Sequence, residues 1–364
     1  MKNIFQSLVL MLSMTAAAFA SDSLIYVAEP IMEKDIDTVK TLISIFKPDG
    51  TELKKVLVNG TLARVSPDGK HIIYLERKTN EPWKIVLSDS DGKKLKYLDM
   101  IKKPKKPILY PAPTRLIWSP DGEKIAIVSS IQTFVSVAVV NLKTNDIKGI
   151  YTGRSGSSEE AYFYTTNWLS DSKRILIAGS DGTRIINLET KEEIVLSKES
   201  VIAYLSGNGG KIIYMPQVNK IHLDAGVFKP PFEIYQYDTE KEKSELLMTL
   251  DMPPLIAALS QDGRYLVFQS MPIKEAAIFI VDLPKKKVSK VDTKGYFLMP
   301  KKFPLFENNL IICQGFQKDD DTRQSGILNL DNGEFRVLKR TSSKGFDGEK
   351  SLILFMGFDW YDWR

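Results

Sequence analysis

Chemistry has few places to reside in this chain. Its 364 residues include two histidines, His71 and His222, and one cysteine, Cys313. A histidine-based metal centre needs more imidazoles than that. The stretch Gly153-Arg154-Ser155-Gly156-Ser157 lacks the final glycine of a nucleophile elbow and reads as a loop. Gly207-Asn208-Gly209-Gly210 has no Lys-Ser or Lys-Thr after it, so it is no phosphate loop. Asp319-Asp320-Asp321 offers oxygen ligands to a hard cation, but consecutive aspartates point apart and the residues fit a solvated loop. No cofactor and no metal are therefore expected. With a single cysteine no internal disulfide can form, and Cys313 within Leu310-Ile311-Ile312 is expected to be a buried thiol.

What remains is a set suited to ligand binding: Arg77, Tyr110, Arg115, Arg154, Glu160, His222 and Arg323. Guanidinium groups pair with carboxylates, and aromatic rings supply rigid contact area. Glu160, Tyr110 and Arg154 would also serve as acid and base partners if they converged, which would suit a polysaccharide lyase or hydrolase. All of these but Arg77 lie in or beside five stretches that interrupt a repeat: Glu29 to Lys40, Asp99 to Thr114, Tyr151 to Phe163, Met215 to Phe232 and Gly315 to Ser325.

The repeat decides how they are held. Leu62-Ala63-Arg64-Val65-Ser66-Pro67-Asp68-Gly69-Lys70-His71-Ile72 places a tight corner between two strands. Pro67 presets φ, Asp68 bonds the backbone ahead, and Gly69 takes positive φ. The corner returns at Ser119-Pro120-Asp121-Gly122 and at Ser260-Gln261-Asp262-Gly263. Positions equivalent to Asp68 fall at Asp121, Ser172, Asn208, Asp262, Asn308 and Asp347. A second marker, an apolar strand with a polar turn and a Lys/Glu-rich strand, recurs at Asp49-Gly50, Asp91-Gly92, Thr144-Asn145, Thr190-Lys191, Thr239-Glu240, Pro284-Lys285 and Asp331-Asn332.

Both markers count seven, at a period of about 47 residues, the length of a four-stranded propeller blade. The expected fold is all-β: a seven-bladed β-propeller of four-stranded antiparallel blades, with six or eight blades as alternatives. Strands near Leu352-Ile353-Leu354-Phe355 are expected to complete the blade begun at Leu24, closing the ring by pairing N- and C-terminal strands. Trp118 and Trp168, just ahead of corners, are expected to pack blades together.

The Ser-Pro-Asp-Gly-x-x-Ile pattern at Ser66 to Ile72, copied at Ser119 to Ile125, resembles the WD-like repeats of TolB-type propellers, over the propeller part only. That resemblance implies protein binding in a cell envelope. It does not extend to the N-terminal domain of TolB, because the repeats follow the leader directly.

Lys2, the apolar run to Met14 and Ala16-Ala17-Ala18-Phe19-Ala20 form a secretory leader, residues 1–20, with cleavage expected after Ala20. The propeller is expected over 21–358 and an aromatic tail over 359–364. No later stretch is apolar enough to span a membrane, so the expected location is the periplasm or the exterior. Net charge is only +5, too balanced for a dedicated nucleic-acid binder. Lys102-Lys103-Pro104-Lys105-Lys106 could meet an anionic polymer as an extended segment, or be a solvated connection. The leading expectation is a non-enzymatic scaffold that binds a protein or peptide on its loop-bearing face. The alternative is a polysaccharide-directed lyase or hydrolase at the centre of the ring.

Overall fold

The computed structural model describes residues 24–32, 39–47, 49–76, 83–98, 113–131, 134–154, 165–179, 181–198, 202–215, 221–222, 227–228, 231–252, 254, 256–269, 277–302, 309–317, 323–341 and 360–363. These form seven four-stranded antiparallel sheets, the blades of a β-propeller. From the centre outward, blade 1 contains Trp360–Trp363, Ile25–Met32, Val39–Phe46 and Glu52–Val58. Blade 2 runs through Thr61–Val65, His71–Glu76, Lys84–Asp89 and Lys94–Leu98, and blade 3 through Pro113–Trp118, Lys124–Ile131, Phe134–Asn141 and Ile147–Arg154. Blades 4 to 7 repeat the order, beginning at Thr165–Trp168, Ile202–Leu205, Ile256–Leu259 and Tyr296–Lys302 and ending at Glu193–Ser197, Lys243–Leu250, Lys287–Val291 and Phe335–Thr341.

The corners fold as their residues dictate. Gly69 N–H donates to the Ser66 carbonyl, and Ser66 N–H to the His71 carbonyl. The Ser66 hydroxyl lies 2.6 Å from Asp68 Oδ1 and accepts from His71 N–H. Ser119, Ser206 and Ser260 repeat this network with Asp121, Asn208 and Asp262. In blade 4 the register differs by one from the sequence expectation. Asp171 occupies the Asp68 position and accepts from Lys173 and Arg174 N–H, while Ser172 takes the positive φ of 57° that Gly69 holds elsewhere. Leu169 replaces the corner serine, and this shifts the apparent spacing. All seven hairpin markers lie between third and fourth strands, as expected.

Seven apolar clusters hold the ring, each at one interface between adjacent blades. Ile72, Tyr74 and Val86 of blade 2 pack on Ile43, Val56 and Val58 of blade 1. Further clusters join blades 2 and 3, 3 and 4, 4 and 5, 5 and 6, and 6 and 7. Ile25, Val27 and Phe46 meet Ile312 and Ile327 at the seam between blades 7 and 1. Each fully buried aliphatic side chain contributes roughly 1.5–3 kcal/mol, so no blade is stable without neighbours. Cys313 is fully buried in the cluster of blades 6 and 7. Trp118 and Trp168 are buried too. Trp118 Nε1 donates to the Arg64 carbonyl at 3.2 Å, and Trp168 Nε1 to the Ile117 carbonyl at 3.1 Å. Each indole thus pins its blade to the innermost strand of the preceding one.

The ring closes as expected, through a C-terminal strand on the first strand after the leader. Ile25–Ala28 pairs with Trp360–Trp363. The closing strand therefore comes from within the segment expected as a tail beyond residue 358. Leu352–Phe355, expected to supply it, lies outside the described residues, as does the leader.

Candidate functional site

The two faces of the ring are connected differently. On one face, each of the five described corners from first to second strand spans five residues, for example 66–70 and 119–123, and the hairpins from third to fourth strand span four or five. On the other face, connections range from two residues (59–60) to fourteen (99–112), sixteen (216–231) and eighteen (342–359). The described candidates Arg115, Arg154, His222 and Arg323 belong to this second face or to the strands beneath it.

Several expected loop stretches prove to be partly strand. Tyr151–Arg154 continues the outer strand of blade 3, and Arg323–Ser325 opens the third strand of blade 7. Residues at both ends of Glu29 to Lys40 extend a hairpin through the paired Met32 and Val39. Backbone pairing carries on past the apolar run in each case, because a ladder needs no side-chain pattern once its register is set. Arg154 and Arg323 thus lie at strand ends. His222 pairs with Val227 in a two-stranded hairpin inserted into blade 5. Arg77, Tyr110 and Glu160 lie outside the described residues, as do Lys102–Lys106 and Asp319–Asp321.

Arg115 is the candidate with the fullest surroundings. It lies on the innermost strand of blade 3, in the half nearer the long connections. Pairing passes from Pro113↔Ser129 to Arg115↔Val128, so Thr114 is an extra residue, and its hydroxyl donates to the Val128 carbonyl at 3.2 Å. Such bulges re-aim the neighbouring side chain. Arg115 retains partial solvent contact, yet the protein around it pushes the guanidinium pKa below the ordinary arginine value by desolvation.

Sequence reading missed two companions. Arg64, on the adjacent innermost strand of blade 2, is buried, with Nη1 donating to the Ala63 carbonyl at 2.7 Å. It follows a second bulge, in which Leu62 adopts a φ of 54°. Tyr204, on the innermost strand of blade 5, donates its hydroxyl to the Pro254 carbonyl, and burial raises its pKa. The available signal was a charged or phenolic residue inside an apolar innermost strand. Two guanidinium groups and one phenol therefore come from strands that line the middle of the ring. Guanidinium groups pair with carboxylates and other anions, whereas the Tyr204 hydroxyl is committed to Pro254 and its ring packs on the cluster of blades 5 and 6.

A separate polar node ties blades 3 and 4 on the long-connection face. The Tyr151 hydroxyl bonds Asp181, and Arg184 reaches Asp181 Oδ2 at 3.2 Å and Glu193 Oε1 at 3.0 Å. The Arg184 guanidinium also lies 5.3 Å from the Tyr151 ring centre. These contacts link the two blades, which makes the node a structural tie. Among the described residues no three His, Cys, Asp or Glu side chains form a metal-binding group. No helix among them is long and apolar enough to cross a membrane.

No family model and no curated protein matches the chain. Solved structures do. The chain is similar to TolB from Acinetobacter baumannii at 17% identity, covering 88% of this chain and 80% of that one, with a TM-score of 0.45. It is similar to prolyl endopeptidases at 13% identity, covering 78% of this chain and 42% of theirs, with a TM-score of 0.54. An oligogalacturonate lyase in complex with manganese aligns at 12% identity over 84% of this chain and 94% of that one, with a TM-score of 0.48. At these identities the likeness shows fold alone, and the prolyl endopeptidase alignment carries it. The described residues of the chain form a seven-bladed β-propeller of four-stranded antiparallel blades.

Proposed function

We propose that this is an exported, non-enzymatic propeller that binds a protein or peptide partner across the face carrying its long connections. The observation that supports this reading is the division of the molecule: a face of uniform five-residue corners braces a face of long, unequal connections. Binding sites gather on variable loops held by a rigid scaffold. Arg115, from the innermost strand beneath those connections, is the proposed anchor for a partner carboxylate, with Arg64 beside it in the ring. The composition of residues 1–20 is that of an export signal and supports a mature chain in the periplasm or outside the cell.

The test is crosslinking of the mature protein in its native envelope, with Arg115→Gln run in parallel. Recovery of a defined partner by the wild type, weakened at least tenfold by the variant, supports the reading. Arginines also pair with the carboxylates of acidic polysaccharides, so the same protein is assayed on oligogalacturonate and related acidic glycans. Turnover with no partner recovered would replace the binding reading with the lyase or hydrolase one.

A further inference from the structure

The rim of the ring is charged unevenly. The outer hairpin of blade 6, Asp282–Val291, carries Lys285, Lys286, Lys287 and Lys290 against Asp282, and all four lysines are exposed. The equivalent hairpin of blade 4 carries Glu189, Glu192 and Glu193 against Lys191. That of blade 5 is also acidic in balance, through Asp238, Glu240, Glu242 and Glu245 against Lys241 and Lys243. Passing round the ring, the outer hairpins of blades 6, 7, 1, 2 and 3 each hold more basic than acidic residues, and only blades 4 and 5 reverse the sign.

Charged residues on edge strands prevent sheets from pairing edge to edge, but either sign does that work. Blades 4 and 5 guard their edges with glutamate, so edge protection does not account for five consecutive basic blades. We propose that the outer wall from blade 6 through blade 3 is a docking track for a linear acidic polysaccharide, separate from the long-connection face. The wall is convex. A flat lipid surface would touch one or two blades of it, whereas a flexible polyanion can follow the arc and meet every basic hairpin. Exposed Val288, Leu95 and Tyr97, set among the lysines, offer the sugar rings apolar contact.

The probe is heparin, titrated against the full-length mature protein at low and high salt. Wild type is expected to bind with an affinity that falls steeply as salt rises, through release of condensed counterions. Lys287→Glu combined with Lys290→Glu, both exposed and away from any corner, is expected to weaken binding about tenfold or more. Lys241→Glu with Lys243→Glu in blade 5 makes the same change in net charge and is expected to alter it less than twofold. Circular dichroism verifies that both variants fold. Equal loss in the two variants would mean that net charge alone acts and would overturn the track. So would salt-independent binding or none. Co-sedimentation with phosphatidylglycerol vesicles that the blade 6 variant abolishes, in the absence of heparin binding, would overturn the polysaccharide in favour of a lipid surface. Loss of the track leaves the partner-binding face untouched, since Arg115 and the long connections take no part in it.

Discussion

One face of this ring repeats itself in the five blades whose corners are described, while connections on the other run from two residues to eighteen. On the corner face, Ser66, Ser119, Ser206 and Ser260 each organise the same hydrogen bonds with an Asp or Asn two residues on. Corners also touch across blades: Asp121 N–H donates to the Ser172 hydroxyl, and Asn208 N–H to the Gln261 carbonyl. On the long-connection face the strand-to-strand intervals follow no such common length. The lesson is a division of labour, in which repetition on one side supplies rigidity and irregularity on the other is left free for recognition.

Four substitutions would break or sharpen that contrast. The largest effect is expected at Gly209, where φ is +70° and an added Cβ would lie 2.6 Å from the Ser170 nitrogen. Gly209→Val is expected to cost about 3 kcal/mol or more, read as loss of the cooperative thermal transition or a large fall in Tm. Next comes Trp118→Phe, which leaves the Arg64 carbonyl without its indole donor and is expected to cost about 1–3 kcal/mol by denaturant unfolding.

On the other face, Arg115→Gln is expected to remove partner binding at least tenfold while the thermal midpoint moves less than for Trp118→Phe. If Arg115→Gln proved the more destabilising of the two, the two faces would not divide rigidity from recognition as described. The smallest effect is expected at Leu95→Ser, on an exposed outer strand away from both faces, within about 0.5 kcal/mol of wild type.

Acid provides a further check on the corner face. Partial burial raises the pKa of Asp68, Asp121 and Asp171, but hydrogen bonds from Ser66, Ser119 and the backbone N–H groups beyond them, with the Arg174 side chain at Asp171, outweigh it. All three pKa values end below the ordinary 3.8. A carboxylate that is more acidic when folded stabilises the fold above its unfolded pKa, and that contribution disappears as pH falls through the folded value. Stability is therefore expected to decline as pH drops below about 4. Replacing all three by asparagine should flatten the decline, measured by urea unfolding across pH.

What the sequence made legible follows the same division. Corners and hairpins need particular residues for particular backbone angles, so Pro67, Asp68, Gly69 and their copies announced themselves, and the blade count came with them. Among the described corners the one slip, at Ser172, arose where leucine replaced the corner serine and a non-glycine residue accepted positive φ; Asn308 and Asp347 lie outside the described residues. Strand ends carry no such demand, which is why Arg154 and Arg323 read as loop residues. The inner arginine Arg64 was hidden for a related reason: its importance comes from which strand lies innermost, a property of the ring and not of its neighbours in sequence. Trp360–Trp363 lacked both alternation and a flanking turn, so its pairing with Ile25–Ala28 had no local signature.

That last pairing has a consequence for how the molecule comes into being. Blade 1 borrows its innermost strand from residues synthesised more than three hundred positions after the strand it completes. Contacts so distant in sequence form slowly, because the intervening chain must first be ordered. During synthesis the six other blades can assemble while the first waits, with one sheet edge open. The four-residue strand Trp360–Trp363 therefore acts as a clasp fastened last, and a chain stopped short of it would keep that edge exposed to whatever strand it meets first.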